Sequence, residues 1–537
     1  MSQKLVYWGT GNISKMCLEY YPNIRPSFFI DSNWGTGSFY DLQVKNPNTI
    51  ENWSDLFIVI VTTVFSEIEN ILKGKGLIKG KHYIDYKGFF EISNKTAKEN
   101  IVYLEKFIEQ NNEYKNPILI IAPVFLSRLS KDMIHFFKEY ALHRLPQKCV
   151  MLSSLEVVEE TYAQSIMGYP TIDMPEICKW DGERKIDIYE DHNIMNMLEK
   201  EEEQWICNLE SRMVCRDRKL SYRITAEIYW YFKNVFDILQ PKKVCIWGGW
   251  TRTSHIIAEF AKRNNIPYGF MEHGWIPGTF QFDRRGIAGQ SEYAVNPERI
   301  LNFHTKIKNT EINRIRDYIT ANKIDTGKFR ETEEDERKIL TLDSRKKTIF
   351  FVGMDDYGMG INPQSEYWKQ FVCSVFSSTL EAVSFVAEIC KKKNWNFIFK
   401  PHPNPADKNK LDGDYKGNSI IQVRHMEIDR LIQISDVVVS IASAVDYKTL
   451  IYGKPLVQLG HTTLFRKGCS YEVNDVNEIE QKMELALKCG MTAEQNKNFE
   501  LHMAQLLENY LWDDLTEREL HYGLPVEKDF FDMENDI

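Results

Sequence analysis

Short apolar runs closed by glycine, aspartate or proline alternate with stretches of helical period along most of this chain. The first run, Leu5-Val6-Tyr7-Trp8, meets a tight turn, Gly9-Thr10-Gly11-Asn12, and then a helical pattern from Ile13 to Tyr21. Ser27-Phe28-Phe29-Ile30 ends at Asp31, and Leu56 to Val61 precedes a helix through about Leu72. Strands alternating with helices predict a parallel sheet covered on both faces. Residues 1–95 therefore read as a small Rossmann-like domain, and the charged stretch Ser93 to Lys115 as its linker.

The pattern repeats twice more. Pro117 to Ala122 opens a second α/β region over residues 116–300. It holds a long helical stretch from about Asn196 to Leu239, the strand Lys243 to Trp247, a helix Ser254 to Asn264 and the strand Tyr268 to Met271. Residues 303–346 are polar, with Glu331 to Lys338 densest in charge, as expected of a solvated helix or linker. Residues 346–490 form a third region, with strands at Thr348 to Val352, Trp395 to Phe399 and Asp436 to Val439. From residue 491 to 537 the tail reads as helical and then acidic, and such tails often pack back across a neighbouring domain. The fold class is α/β: two similar halves preceded by an extra Rossmann-like domain.

At 537 residues the chain exceeds one core. Its net charge of −9 argues against nucleic acid as a partner and leaves room for local basic patches at a membrane surface. Ten scattered cysteines without C-x-x-C or zinc spacing point to reduced thiols and a cytoplasmic setting. The amino terminus has no signal-peptide pattern, and no apolar run is long enough to span a bilayer.

The candidate chemistry lies at predicted strand ends, the edge where open α/β sheets bind ligands. Lys400-Pro401-His402-Pro403 follows one strand, and Ser440-Ile441-Ala442-Ser443 ends another and opens a helix, Ala444 to Tyr452. A histidine and two hydroxyls at such an edge suit the phosphate of a nucleotide-activated sugar; a rigid proline turn is the plainer reading of the first motif. Glu272-His273-Gly274 ends the strand from Tyr268, placing a carboxylate that serves as general base or nucleophile, or that caps its own loop. Arg252, after Gly248-Gly249, and the pair Arg284-Arg285 offer guanidinium groups for a carboxylate or phosphate. Asp355 and Asp356 either bind sugar hydroxyls or a metal, or form a solvated turn. No metal-ligand constellation and no resident cofactor are expected. Gly9, Gly11 and Asp31 match part of a dinucleotide fingerprint, but its third glycine falls at Ser14, so a simple strand-to-helix turn explains them equally.

Taken in order, these motifs resemble a known family. Met271-Glu272-His273-Gly274-Trp275-Ile276-Pro277-Gly278-Thr279 and Phe282-Asp283-Arg284-Arg285-Gly286-Ile287-Ala288 look like the bacterial capsule polysaccharide synthesis family, which includes β-Kdo transferases. Lys400-Pro401-His402-Pro403, Ser440, Ser443 and Tyr452-Gly453-Lys454-Pro455 extend the match, which covers roughly residues 240–460. The acidic-x-Gly, His-Pro and serine motifs are also similar to those of bacterial sialyltransferases, whose motif often has a second acid where His273 stands here.

The resemblance implies a two-domain GT-B glycosyltransferase using a CMP-activated acidic keto-sugar, chiefly CMP-Kdo, with a glycan or lipid-linked acceptor. It implies work at the inner face of a bacterial cytoplasmic membrane. Glu272 and His273 would be catalytic; Lys400, His402, Ser440, Ser443 and Arg252 would bind the donor; Asp283, Arg284, Asp355 and Asp356 would face the acceptor or support the site. Two alternatives stand beside it: a teichoic-acid-type transferase using a CDP-polyol, and a non-catalytic nucleotide-sugar-binding assembly subunit.

Overall fold

The computed structural model describes residues 3–125, 148–175, 207–298, 312–313, 316–317, 333–402 and 420–513, except 33–36, 63–64, 93–94, 156–159, 209–213, 216–217, 250, 277–278, 355 and 357–364. These residues belong to two compact units. The first comprises residues 1–114, 121–143 and 148–185, and the second residues 115–120, 144–147 and 186–537.

The first unit opens with a sheet of six strands: β1 (Lys4–Trp8), β2 (Phe29–Ile30), β3 (Gly37–Phe39), β4 (Leu42–Lys45), β5 (Leu56–Ile60) and β6 (Tyr83–Asp85). Their order is β3-β4-β2-β1-β5-β6, parallel except for the β3–β4 hairpin. The chain turns one way from β1 to β2 and the other way to β5, so β1 lies at a topological switch point. Helices α1 (Asn12–Tyr20) and α2 (Phe65–Gly74) accompany the sheet. Apolar side chains of alternating parity fill its two faces: Val6, Trp8, Ile58 and Ile60 on one, Tyr7, Phe29, Val59 and Val61 on the other. Burial on both faces explains why β1 and β5 read as unbroken apolar runs. Helix α3 (Ala97–Gln110) follows, its start fixed by a reciprocal Thr96–Glu99 capping box.

Strand β7 (Ile118–Phe125) comes next in the chain, then β8 (Cys149–Ser154) and β9 (Thr171–Asp173), which pair in parallel within the first unit. The described residues correct the long helix expected over Asn196 to Leu239. Strands β10 (Cys207–Asn208) and β11 (Val214–Cys215) form an antiparallel ribbon, and α4 begins only at Arg218 and runs to Leu239.

In the second unit β12 (Lys243–Trp247), helix α5 (Arg252–Arg263), β13 (Tyr268–His273) and β14 (Thr279–Asp283) build one half. Strand β13 is parallel to β12 and antiparallel to β14. The strand expected to stop at Met271 therefore continues through Glu272 and His273 into a hairpin. The other half is a wholly parallel sheet of β15 (Thr348–Val352), β16 (Asn396–Lys400), β17 (Ile420–Gln422), β18 (Val437–Ser440), β19 (Leu456–Gln458) and β20 (Tyr471–Glu472). Its order is β17-β16-β15-β18-β19-β20. Helices α6 (Thr379–Lys393) and α7 (Val445–Ile451) belong to this half.

The described part of the tail, to residue 513, packs back on the first of these halves. Helix α8 (Ala493–Asn509) leads to β21 (Leu511–Asp513), which pairs antiparallel with β14 of the first half. One buried cluster contains Trp275, Ile276 and Tyr293 of the first half, Phe350, Val438 and Tyr447 of the second, and Phe499, Tyr510 and Leu511 of the tail. Within this unit the two halves share a core. No described helix is long and apolar enough to cross a membrane.

Candidate active site

The register of the parallel sheet aligns the His-Pro and serine motifs. Val352 pairs with Lys400 on one side and with Ser440 on the other. Residues far apart in sequence thus stand two strands, about 10 Å, apart on one carboxyl edge. Gly353 continues β15 between them, and its N–H donates to the Lys400 carbonyl at 2.8 Å. A Cβ on Gly353 would lie 2.7 Å from that oxygen and 2.9 Å from the His402 nitrogen, so only glycine lets the motif settle on the sheet. His402 is exposed on this edge. Lys400 is buried, and its amine donates to the Arg424 carbonyl at 2.7 Å, which ties β16 to the segment after β17.

The two serines meet at a residue the motif reading did not single out. Ser440 is fully buried and donates its hydroxyl to Asp446 Oδ1. The Ser443 N–H faces Asp446 Oδ2 at 3.4 Å. Ser443 is half-buried, and its hydroxyl accepts the Val445 N–H at 3.1 Å, at the first residue of α7. Ser440 therefore secures Asp446, while the loop Ala442 to Ala444 forms the exposed or half-buried rim. Asp446 is fully buried, and burial pushes its carboxyl up to about 7 against the opposing hydrogen bonds from Ser440 and Ser443. An acid three residues after the second serine, at the first turn of the following helix, was the available signal.

Glu272 stands at the carboxyl end of β13. Its Oε1 accepts the N–H of its own neighbour His273 at 3.0 Å, and its Oε2 lies 3.9 Å from where a Cβ of Gly248 would project. The residue as a whole is half-buried, yet its carboxyl is crowded by protein. Loss of water pushes it up to about 7, with the His273 N–H opposing. Among the described residues, this one local hydrogen bond leaves most of its acceptor capacity unspent. His273 is exposed, its ring edge-on to Trp247 at 5.3 Å and tilted against Phe280 at 5.7 Å. Gly274 is required by the hairpin: a Cβ there would sit 2.0 Å from Thr279 Oγ1.

The acidic and serine motifs are joined by an aromatic stack. Trp275, three residues after Glu272, stacks on Tyr447, the neighbour of Asp446, with centroids 5.8 Å apart and planes 13° from parallel. Tyr510 of the tail stacks on Trp275 at 6.1 Å. The segments that carry Glu272 and the serines thus abut within one unit.

Other expected site residues have structural partners. Asp283 is fully buried: Oδ1 accepts the N–H groups of Arg285 at 2.8 Å and Gly286 at 3.3 Å, and Oδ2 accepts the Glu292 N–H at 2.9 Å and the Tyr510 hydroxyl at 3.0 Å. Burial still pushes it up to about 6. With four donors around it, Asp283 closes the turn after β14 rather than facing an acceptor. Asp356 is also fully buried and accepts the N–H of Thr379 at 2.7 Å and its hydroxyl, capping α6. That correction has a plain cause, since a helix start offers unpaired donors. Asp355 lies outside the described residues. Arg252 is buried and donates to Thr225 Oγ1 of α4 at 2.9 Å, and Arg284 is exposed beside Arg285, which pairs with Glu292 at 3.7 Å.

In the first unit, Gly9 and Gly11 bracket the turn at the switch point. A Cβ on Gly9 would approach the Val61 carbonyl to 2.9 Å, whereas Gly11 has open space above it. Asp31 Oδ2 accepts both the N–H and the hydroxyl of Thr10, at 3.1 and 2.6 Å, and Ser14 donates to the Gly9 carbonyl at 2.6 Å. Among the described residues, no cluster of three or more His, Cys, Asp or Glu side chains could hold a metal ion.

No family model matches the chain, and no curated protein matches it. Among solved structures, it is similar to the KpsC β-Kdo 2,7 transferase of Thermosulfurimonas dismutans at 18% identity, covering 56% of this chain and 87% of that one with a TM-score of 0.34. The β-Kdo 2,4 transferase of the same KpsC gives 14% identity over 50% of this chain and 80% of that one, TM-score 0.32. UDP-GlcNAc 2-epimerase from Neisseria meningitidis gives 13% identity over 72% of this chain and 94% of that one, TM-score 0.35. Likeness at these scores assigns neither family nor activity.

Proposed function

We propose that this chain is a glycosyltransferase of bacterial surface polysaccharide synthesis that moves an acidic keto-sugar, Kdo first among candidates, from a CMP-activated donor to a glycan or lipid-linked acceptor. The observation that carries the reading is the Trp275–Tyr447 stack, which fixes the Glu272 hairpin against the helix of the serine motif. A transferase needs an acid–base group and a donor-phosphate site held in one frame.

In this reading His402 and the N–H groups of Ala442 and Ala444 on the serine rim receive the CMP phosphate. The bond between the sugar's anomeric carbon and the phosphate oxygen breaks, and CMP leaves with the electron pair. The acceptor hydroxyl forms the new bond and gives its proton to Glu272. A carboxyl pushed up to about 7 by burial suits that role, because it takes a proton readily yet is substantially ionised near neutral pH. Hydrogen bonds aimed at the departing phosphate stabilise the charge that develops there.

The test is turnover of purified full-length chain with CMP-Kdo, CDP-glycerol and UDP-GlcNAc, with release of each nucleotide measured in the presence of a capsule-type glycan acceptor. CMP release dependent on CMP-Kdo and acceptor supports the reading. Turnover of CDP-glycerol or UDP-GlcNAc with CMP-Kdo inert overturns it.

A further inference from the structure

Residues 71–83 of the first unit play no part in the chemistry above. Ile71-Leu72-Lys73-Gly74-Lys75-Gly76-Leu77-Ile78-Lys79-Gly80-Lys81 finishes α2 and leads into β6. Leu72 and Leu77 are buried and anchor the loop. Its backbone is closed by hydrogen bonds from Leu77 to Leu72 at 3.1 Å and from Gly80 to Tyr83 at 2.8 Å, and His82 Nδ1 accepts the Ile78 N–H at 3.0 Å. The loop therefore presents one fixed outer surface.

That surface is both basic and apolar. Lys73, Lys75, Lys79 and Lys81 are all exposed. Ile71 is 44% exposed and Ile78 57% exposed, although Ile is a residue usually kept inside. No carboxylate occurs between Ile71 and Tyr83. Glu69 takes Lys73 at 3.1 Å and Lys79 at 3.8 Å; in sequence the other acids flanking these elements are Glu67 on α2, Asp85 at the end of β6, and Glu51 and Asp55 around Trp53. Lys75 and Lys79 lay their amines over the rings of Trp53 and Phe65, each at 4.8 Å from the centroid. A helix-to-strand connection enters a parallel sheet at its amino edge. The glycine turn at Gly9 lies on the carboxyl edge, so covering the lysines leaves that edge open.

We propose that this loop docks the chain on an anionic lipid surface, with the lysines on the headgroups and Ile71 and Ile78 entering the interface. The chain as a whole carries −9 and is repelled by such a surface, so a local cationic patch sets the orientation of approach. Lysines alone would serve any polyanion; isoleucines gain only where an apolar layer takes them out of water. The inference goes beyond the proposed activity and does not rest on it.

The experiment is cosedimentation of the full chain with vesicles of phosphatidylcholine alone or mixed with phosphatidylglycerol. Binding is expected only to the mixed vesicles and should weaken with added salt. Each lysine near an anionic surface strengthens binding about fivefold, so Lys75→Gln with Lys81→Gln lowers affinity about 25-fold. Ile78→Ser lowers it at unchanged charge. Unaltered thermal unfolding of these surface variants shows that the fold is kept. Absent binding, equal binding to both vesicle types, or indifference to the paired lysine variant overturns the proposal. If Ile78→Ser binds as the parent does while heparin competes fully, the loop is a general polyanion site and the lipid assignment fails.

Discussion

Replacing Asp446 with asparagine should make the protein more stable at alkaline pH and leave it slightly less stable at acid pH. Asp446 is fully buried and is met by one hydroxyl and one distant N–H, which do not replace the water a carboxylate loses. Its carboxyl accordingly rises from 3.8 to about 7. The sign follows from proton linkage. Between those values the folded state holds a proton that the unfolded chain has released, so stability falls as pH climbs through the window and is level above it. At roughly 1.4 kcal/mol per pH unit, the ionised form costs about 4 kcal/mol above pH 7. Asparagine does not titrate, and its oxygen still accepts the Ser440 hydroxyl. It loses the weak contact with the Ser443 N–H, worth about 1 kcal/mol. The variant should therefore be about 1 kcal/mol less stable near pH 4 and up to about 3 kcal/mol more stable near pH 8. Urea unfolding of both proteins across this range, followed by tryptophan fluorescence, measures the difference and cancels every other titrating group. A difference that does not change with pH would show that Asp446 is ionised throughout and held by its hydrogen bonds, refuting the argument.

Glu272→Gln should lower turnover by about 100-fold or more while leaving nucleotide binding intact, and the parent's rate should rise with pH to a plateau above about 7, because the raised carboxyl must be ionised to act as base; a rate that falls over that range assigns it as the acid. His402→Ala should weaken CMP binding roughly tenfold to a hundredfold, as expected for loss of a hydrogen bond to a charged phosphate, and unchanged affinity by calorimetry would remove it from the donor site. Gly289→Ala should destabilise the protein by several kcal/mol in urea unfolding, because the added Cβ would lie 1.9 Å from the Phe371 carbonyl and 2.8 Å from that of His461; a near-neutral result would mean that the two halves separate there easily.

Much of the fold was readable because buried parallel strands are continuous apolar runs. Leu5 to Trp8, Lys243 to Trp247, Thr348 to Val352 and Asp436 to Val439 all fall on strands within a residue or two. Short strands at or next to the sheet edges, Gly37–Phe39, Leu42–Lys45 and Tyr83–Asp85, were missed, since partly covered strands of three or four residues leave little pattern. The continuation of β13 into a hairpin was missed for a different reason: the fit of Gly274 against Thr279 is a tertiary contact with no local signature. Polar residues were the harder part. The resemblance placed Asp283 and Asp356 at the acceptor or in support of the site, and a solvated turn was the plainer reading of Asp356; in the fold each is buried and satisfies backbone donors at a turn or helix start, a demand that composition does not display. Asp446 was passed over because its importance comes from Ser440 and Ser443 folding back onto it.

If the two sheet edges act as one site, as proposed, the tail supplies the reason. Tyr447, stacked on Trp275, is held from behind by its hydroxyl, which bonds Thr463 Oγ1 at 2.6 Å and His502 Nε2 at 2.8 Å. His502 belongs to α8, is fully buried, and is pushed well below its ordinary pKa by that burial, so it acts as a neutral partner. The same helix runs on to Tyr510 and to β21, where Leu511 pairs with Gln281. Gln281 is in turn the cross-strand partner of Glu272. A closed circuit of contacts therefore leads from Glu272 through Gln281, the tail, His502 and Tyr447 to Trp275 and back to the same hairpin. Within it, a shift of α7 and its serine loop is expected to displace the hairpin that carries Glu272, because close-packed interiors transmit strain. An isolated glutamate at a strand end would be a weak candidate for chemistry. One braced on both strands against the helix of the serine motif has the fixed geometry that the proposed transfer between two bound substrates would demand.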